Sequence, residues 1–427
     1  MDEIAKGDCI TVYNAAKPSF AGGENGKWRL IPLLAGCVCA GTKVYNHKGE
    51  LKNIEDLHQD EGILGYDIYS QKLSKEPITW IQPPSEKPCY RITTRRKHVL
   101  ECSYEHPILV RHRNKQEKRN EKWVRKIEFI PTEELKIGQQ IVINEEVNIW
   151  GDKVMWEPRM VGWFIGDGHY GYNEVPSISS CDFEINKYIS SKYNTSNKKS
   201  PSVTKNGKEF LQRRIKGTGK YLRELGIYGQ TKCNKTLPIN IYEYRRQDLV
   251  ELLGGLFDTD GYATVGGNCP TVGFTSGCEN LVIEVKNLLN KLGIHPTYNK
   301  KLYKSNELIN KKSEGYNLTI SDKKSLETFH KHIKFSIGYK QDNLNKIIEL
   351  NKYKKEQIPS ELNNCRLDTI SNIEYIGVKP IYNLTAGSTN TYIANGIVTH
   401  NTAGEAALSV SAEKMLKNPE GFDLLPM

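Results

Sequence analysis

Met160-Val-Gly-Trp-Phe-Ile-Gly-Asp-Gly168 and Leu253-Gly-Gly-Leu-Phe-Asp-Thr-Asp-Gly261 repeat one pattern, with Gly third, a small residue seventh and Asp-Gly at the end. The copies stand 93 residues apart, which points to a pseudo-symmetric pair of subdomains. Glycines at 162 and 255 let two helices approach backbone to backbone, and the closing Asp-Gly releases each chain at a common end. Asp167 and Asp260 are then expected to meet. Paired carboxylates repel unless a cation lies between them, and hard oxygen ligands beside phosphates are the usual setting for Mg²⁺. A single Asp-Gly reads as an ordinary helix end followed by a turn; two matched copies suggest more.

Outward from the repeat, residues 151 to 355 read as α/β. Glu279 to Gly293, for example, carries apolar residues at helical spacing and ends on glycine. Residues 40 to 150 break instead into short strands, among them Thr42 to Gly49, Gly65 to Tyr69, Tyr90 to Thr94, His98 to Cys102 and Ile108 to Val110. Strands return at Ile370 to Ile376, Pro380 to Thr385 and Tyr392 to Val398. Such an order is that of a β domain interrupted by an α/β insertion. The polar stretch Asn194 to Ser202 reads as a loop, and Ala403 to Leu416 as a helix.

The 427 residues suffice for two or three domains, and 38% apolar residues with a mean hydropathy of −0.57 exclude collagen-like and disordered chains. The longest mostly apolar run, Leu30 to Ala40, is too short to span a bilayer. No secretory signal is visible at the N-terminus, so a cytoplasmic protein without a membrane partner is expected. Ten cysteines are too sparse for a disulfide scaffold, and none form a C-x-x-C pair. Of the net charge of +10, residues 151 to 350 carry 30 Lys/Arg against 21 Asp/Glu. This excess suits a polyanion, although a solvated lysine-rich surface accounts for it equally well.

The paired motifs resemble those of the LAGLIDADG homing endonucleases, as do Lys235-Thr-Leu-Pro-Ile239, Leu288 to Ile294 and Asn317 to Ser321. That resemblance implies Asp167 and Asp260 as metal-binding acids, with Mg²⁺ as cofactor, that cut both strands of one double-stranded DNA site. Ile165 and Gly166 depart from Asp258 and Thr259 of the second copy, away from the metal-binding position. The family also places basic residues near the cleavage centre, where Lys216, Lys300, Lys301 and Lys312 remain open candidates. Sheet strands flanking the helix pair are expected along the major groove, with Arg213 and Arg214 in a strand-like segment suited to phosphates.

A second constellation flanks this block. Cys37-Val-Cys-Ala-Gly-Thr-Lys-Val44, Ser103-Tyr-Glu-His106, Ile381 to Thr385 and Ala394 to Thr402 resemble the terminal splicing blocks of inteins. A thiol after glycine can attack the preceding carbonyl and turn the Gly36–Cys37 peptide into a thioester. The resemblance gives His106 the general-acid role toward the departing nitrogen, with Ser103 in the family's usual threonine position. Thr402 would accept the acyl group, and Asn401 would cyclise and cut its own peptide bond while His400 polarises the carbonyl. An ester-to-amide shift completes ligation without a cofactor. Cys39 is the rival nucleophile, and Cys37 is preferred on spacing; Thr402 with Glu405 also fits a helix-capping box. Asn383 replaces a common aspartate and Asn390 a frequent histidine, which bears on splicing rate.

These readings give an all-β horseshoe-like splicing (Hint) domain, residues 37–150 and 356–401, interrupted by a two-repeat α/β endonuclease, residues 151–355. Host segments 1–36 and 402–427 flank a 365-residue intein in an unspliced precursor, expected to be monomeric. Gly22 to Trp28 lacks the glycine and Ser/Thr of a phosphate loop. Two alternatives stay open: a DNA-binding or maturase-like module with an inactive nuclease site, and a domain that cleaves itself without ligating.

Overall fold

The computed structural model describes residues 20–22, 28–30, 36–81, 84–119, 122–197, 202–203, 207, 209–231, 234–266, 269–303, 313–351, 362, 364–387 and 389–400. The chain divides into two units, Met1–Asn144 with Pro359–Met427, and Glu145–Ile358. The sequence reading drew its edges at 150/151 and 355/356. Ala403 to Leu416, Asn401, Thr402 and Lys312 lie outside the described residues.

The first unit is all-β. Its axis is the long strand Cys365–Tyr382, which pairs with Gln140–Asn144 near its start and with Ser85–Thr94 along most of its length. At its end it also pairs with Val38–Cys39, placing Tyr382 opposite Val38. The expected strands at 370–376 and 380–385 therefore merge as far as Tyr382; Leu384–Ala386 is separate and pairs with Ile78–Ile81. Asn395 and Gly396 both take positive φ, 49° and 83°, which makes a two-residue turn between Thr391–Ala394 and Ile397–His400. The turn is anchored from both sides: Asn395 Oδ1 accepts from Lys43 N–H at 2.7 Å, and its Nδ2 donates to the Val99 carbonyl at 2.8 Å. The last described strand is held in register beside Pro107–Arg119, with Thr399 opposite Ile108. Val38, Ile92, Leu100, Ile108, Ile143 and Ile397 fill the core between these strands.

The second unit is built twice from one plan. Each copy opens on a motif helix, Pro158–Asp167 or Arg246–Thr259, and its first strand begins on the motif's last glycine, Gly168 or Gly261. Sheet order is the same in both. Gly168–His169, Ser177–Ser180, Glu209–Ile215 and Thr195–Asn197 stand side by side in that order. In the second copy the order is Gly261–Thr264, Thr271–Ser276, Ser313–Ile320 and Thr297–Tyr303. Thr195–Asn197 and Ser202–Val203 correct the expected loop: both are short strands paired with Glu209–Ile215, which satisfies their backbone polar groups. The predicted helix at 279–293 runs from Glu279 to Lys291. Phe257 packs edge-on against Phe329 at 4.8 Å in a core that also takes Phe164, Leu253 and Phe274.

Among the described residues, no helix is long and apolar enough to cross a membrane.

Candidate functional sites

In the second unit, the two motif helices touch through glycine. A Cβ on Gly162 would lie 2.3 Å from the Leu252 carbonyl oxygen and 2.8 Å from Gly255 Cα. One on Gly255 would lie 2.1 Å from the Arg159 carbonyl oxygen. Only hydrogen fits at this crossing. At its far end a Cβ on Gly166 would meet Thr259 Oγ1 at 2.0 Å and Asp260 Oδ2 at 3.2 Å, so the first helix ends against the carboxylate of the second. Burial raises the pKa of Asp167. Burial, and next the charge of Asp167, push Asp260 up to about 7. Both acids line a cleft of about 860 Å³ together with Lys235, Asp182, Gln230 and Thr275.

Two lysines serve this centre, and sequence reasoning singled out neither. Lys235 Nζ donates to the Gly166 carbonyl at the end of the first helix, and its charge lowers the pKa of both acids. Lys340 is buried and donates to the carbonyls of Asp258 at 2.5 Å and Gly261 at 2.7 Å, at the end of the second helix. Cations at helix C-termini oppose the macrodipole. Lys235 opens the Lys-Thr-Leu-Pro segment, and only the fold sets it beside the acids. The five described basic candidates are not among the residues that line the cleft. Arg213 and Arg214 are consecutive on Glu209–Ile215, so they point to opposite faces; Arg213 is half-buried against Asn186, and Arg214 is exposed. Lys216 and Lys301 are exposed, and Lys300 pairs with Glu314 at 2.9 Å.

Asp167 and Asp260 suit a hard cation. Both are half-buried and like-charged, and a divalent ion between them would remove the repulsion that adds to desolvation in raising Asp260. No group of three or more His, Cys, Asp or Glu able to hold a metal occurs among the described residues, so further ligands would come from water or a phosphate.

Asp258 closes a separate network. Fully buried, it accepts from Trp163 Nε1 and Arg159 Nε, each at 3.0 Å, and from Ser336 N–H at 2.7 Å. This ties both helices to the segment after Lys323–His332.

The first unit gathers the sequence-predicted groups around Gly36 and Cys37. Cys37 is 1% exposed; its N–H donates to Ser103 Oγ at 3.2 Å, and its carbonyl accepts from Ser103 N–H at 2.9 Å. The turn that follows brings His106 back: its N–H donates to the Ser103 carbonyl, while Thr132 N–H and Oγ1 both donate to the His106 carbonyl. A Cβ on Gly36 would stand 2.5 Å from Pro107 Cδ and 2.8 Å from His106 Nδ1, so the imidazole lies against the Gly36–Cys37 bond. His106 is wholly buried. Burial lowers its pKa to about 3; the nearby Gly36 backbone opposes the fall, and His400 adds to it.

His400 also packs edge-on against Phe129 at 4.9 Å. Because Thr399 sits opposite Ile108, two residues beyond His106, the last described strand brings His400 near the first junction. Tyr392 was missed as a site residue. Buried, it packs edge-on against His106 at 6.3 Å, and the Cys37 thiol helps raise its pKa. Nothing in its strand pattern separates it from a core tyrosine. Cys39 shares a pocket with Cys37, Cys89 and Ile381, and burial raises its pKa strongly, so its thiol is a poor nucleophile. Asn383 is buried, and Asn390 adopts φ 50°, a left-handed conformation that asparagine tolerates.

Comparison with known proteins bears on both units. Residues 248–334 match the family described as LAGLIDADG-like domain. A glutamine–fructose-6-phosphate aminotransferase of Methanocaldococcus jannaschii is 28% identical over 206 residues, 46% of this chain and 17% of its own length. A probable translation initiation factor IF-2 of the same organism is 30% identical over 46% of the chain and 15% of its own length. A replicative DNA helicase DnaB of Nostoc is 22% identical over 87% of the chain and 50% of its own length. The chain thus spans half or less of the length of these relatives. A crystal structure of the Ssp DnaB mini-intein variant M86, G-1F mutant, superposes with a TM-score of 0.30 at 9% identity, covering 86% of this chain and 98% of the other. A variant of the homing endonuclease I-DmoI superposes at 0.25 and 14% identity, covering 42% and 94%. Superpositions at such scores are loose, and the fold rests on the chain's own sheets and helices. A LAGLIDADG-like domain matched at residues 248–334 thus lies in sequence between two halves of a β unit, a domain order that supports an intein containing a LAGLIDADG endonuclease.

Proposed function

We propose that this chain excises residues 37–401 and joins its flanks, and that its inserted unit cuts both strands of a DNA site. The splicing reading is carried by one observation: the Gly36–Cys37 peptide lies between Ser103 Oγ and the buried ring of His106. Burial keeps the His106 ring neutral at pH 7, and once protonated it would be a strong acid toward the leaving nitrogen, supplying there the proton that balances the one Cys37 gives up as its thiol ionises. As Cys37 Sγ bonds to the Gly36 carbonyl carbon, the C–N bond breaks and the protonated nitrogen leaves as an amine. Ser103 Oγ holds that nitrogen in place throughout. The roles of Asn401 and Thr402 rest on the sequence alone. Matches to an aminotransferase, an initiation factor and a helicase support an element that inserts into unrelated hosts.

For DNA cleavage, the support is the half-buried Asp167–Asp260 pair at the end of a glycine-lined helix crossing, facing a polar cleft. Asp167 and Asp260 would hold a Mg²⁺ ion, whose Lewis acidity at a phosphate oxygen is the chemistry such an ion supplies. Lys235, beside both acids, is placed to offset negative charge developing on a scissile phosphate.

Mass analysis of the expressed chain tests splicing. Joined flanks and an excised 37–401 species are expected, with Cys37→Ala yielding neither; unjoined flanks from the parent chain would overturn ligation. Incubation with Mg²⁺ and a plasmid carrying the joined coding sequence of residues 1–36 and 402–427 tests the nuclease. The parent is expected to linearise it, while Asp167→Asn and Lys235→Met leave it intact. A parent that binds this DNA without cutting would overturn the nuclease reading.

A further inference from the structure

The first unit carries a basic ribbon that splicing does not use. Pro107–Arg119 and Lys122–Pro131 form a hairpin whose base is embedded in the sheet, with Ile108 facing Thr399, and Val110 and Arg111 facing Ile141 and Gln140. Beyond Arg111 each strand pairs only with the other among the described residues. The register shifts between Arg111 and Gln116, a bulge that adds twist. The shorter strand runs only five residues, Lys122 to Lys126, beyond that base, which at about 3.3 Å each carries the ribbon roughly 16 Å outward.

Its composition does not suit a ribbon meant to stand alone. Residues 111–126 hold eight Lys/Arg and two Glu, whereas the chain outside this stretch and outside 151–350 holds 22 Lys/Arg and 27 Asp/Glu. The ribbon is thus a cationic projection on an otherwise acidic part of the chain. Between 112 and 126 only Trp123 and Val124 are apolar, so it has no face to bury, and two-stranded hairpins are marginal in water. Glu128 at the base is already met by His112 at 2.5 Å, Lys115 at 3.7 Å and Lys126. Arg113, exposed, and Arg125, half-exposed, form no ion pair among the described residues.

We propose that this ribbon is a second DNA-binding element, housed in the splicing unit, that enters the major groove and contacts phosphates. A two-stranded ribbon fits the B-DNA major groove, about 12 Å wide, whereas the A-form RNA groove is too deep and narrow to admit it. An anionic partner also relieves the repulsion within the ribbon. The proposal rests on the reading that this chain binds duplex DNA.

The test uses the full chain carrying Cys37→Ala and Asp167→Asn, so that it neither splices nor cuts, and a DNA duplex of the joined flank-coding sequence. Arg113→Glu, Lys115→Glu and Arg125→Glu together are expected to weaken binding about tenfold or more. They should also make the dependence of log K on log salt shallower by about 0.9 for each lost phosphate contact. In a background that retains Cys37, the triple variant should splice at the parental rate, which shows that the unit is folded. Parental binding with an unchanged affinity and slope in the triple variant overturns the ribbon proposal and leaves the DNA reading standing. No duplex binding by the parent overturns both. Preference for an RNA duplex, lost in the triple variant, overturns the choice of DNA.

Discussion

Gly162→Ala tests the helix crossing on which the nuclease reading depends. The added methyl would lie 2.3 Å from the Leu252 carbonyl oxygen and 2.7 Å from the Leu256 nitrogen, backbone atoms that cannot rotate aside. The helices must separate, and overpacking of this kind costs up to about 3 kcal/mol. Replacing a mid-helix glycine by alanine returns about 1 kcal/mol of helix propensity. A net loss of about 2 kcal/mol follows, close to a thirtyfold change in the unfolding equilibrium. Asp167 and Asp260 hang from the ends of the same helices, so cleavage should fall as well. Gly266→Ala is the control: no atom lies within 4 Å of the point its methyl would occupy and its φ is ordinary, so stability should hold or rise slightly. Urea unfolding followed by tryptophan fluorescence reads both variants, since Trp150, Trp156 and Trp163 all belong to the second unit. If Gly162→Ala proves as stable as Gly266→Ala, the close backbone contact is not what holds the helices together.

Three further outcomes are expected. Gly36→Ala should slow thioester formation about a hundredfold, because its methyl collides with Pro107 Cδ and His106 Nδ1 and moves the imidazole; thiol-induced cleavage measures this, and an unchanged rate would mean the ring is not held as described. His106 titrates near 3 when folded against 6.5 unfolded, so between those values the unfolded chain binds more protons and stability falls as pH drops. His106→Gln should flatten that pH dependence in denaturant unfolding, and an unaltered slope would contradict a buried neutral imidazole. Asp260 is shifted the opposite way, to about 7 from 3.8, so its folded form costs stability as pH rises through that window. Asp260→Asn should therefore stabilise the second unit at pH 8 and remove any stabilisation by Mg²⁺, both readable by thermal unfolding; Mg²⁺ stabilising the variant as much as the parent would place the ion elsewhere.

The order of β, α/β and β material, the two Asp-Gly motifs and the splicing blocks were all legible in the residues, because local periodicity and short spacings encode them. Glycine at 162 and 255 could be read as a helix contact since no other residue lets backbones touch. Lys235 and Lys340 could not be picked out: each is one lysine among many until folding brings it to a helix end. The ribbon at 107–131 was likewise hidden, because charge along a strand does not reveal whether a neighbouring strand covers it.

Chain chemistry was fixed by sequence: a thiol after Gly36, an imidazole at 106, and two acids that each close a helix. Tertiary structure alone decided their surroundings, and the surroundings set the reactivity. Burial holds His106 neutral, the neighbouring Asp167 adds to the burial that lifts Asp260, and the Asn395-Gly396 turn brings His400 back toward Cys37. Desolvation and charge proximity depend on groups far apart along the chain, so no local pattern can carry them.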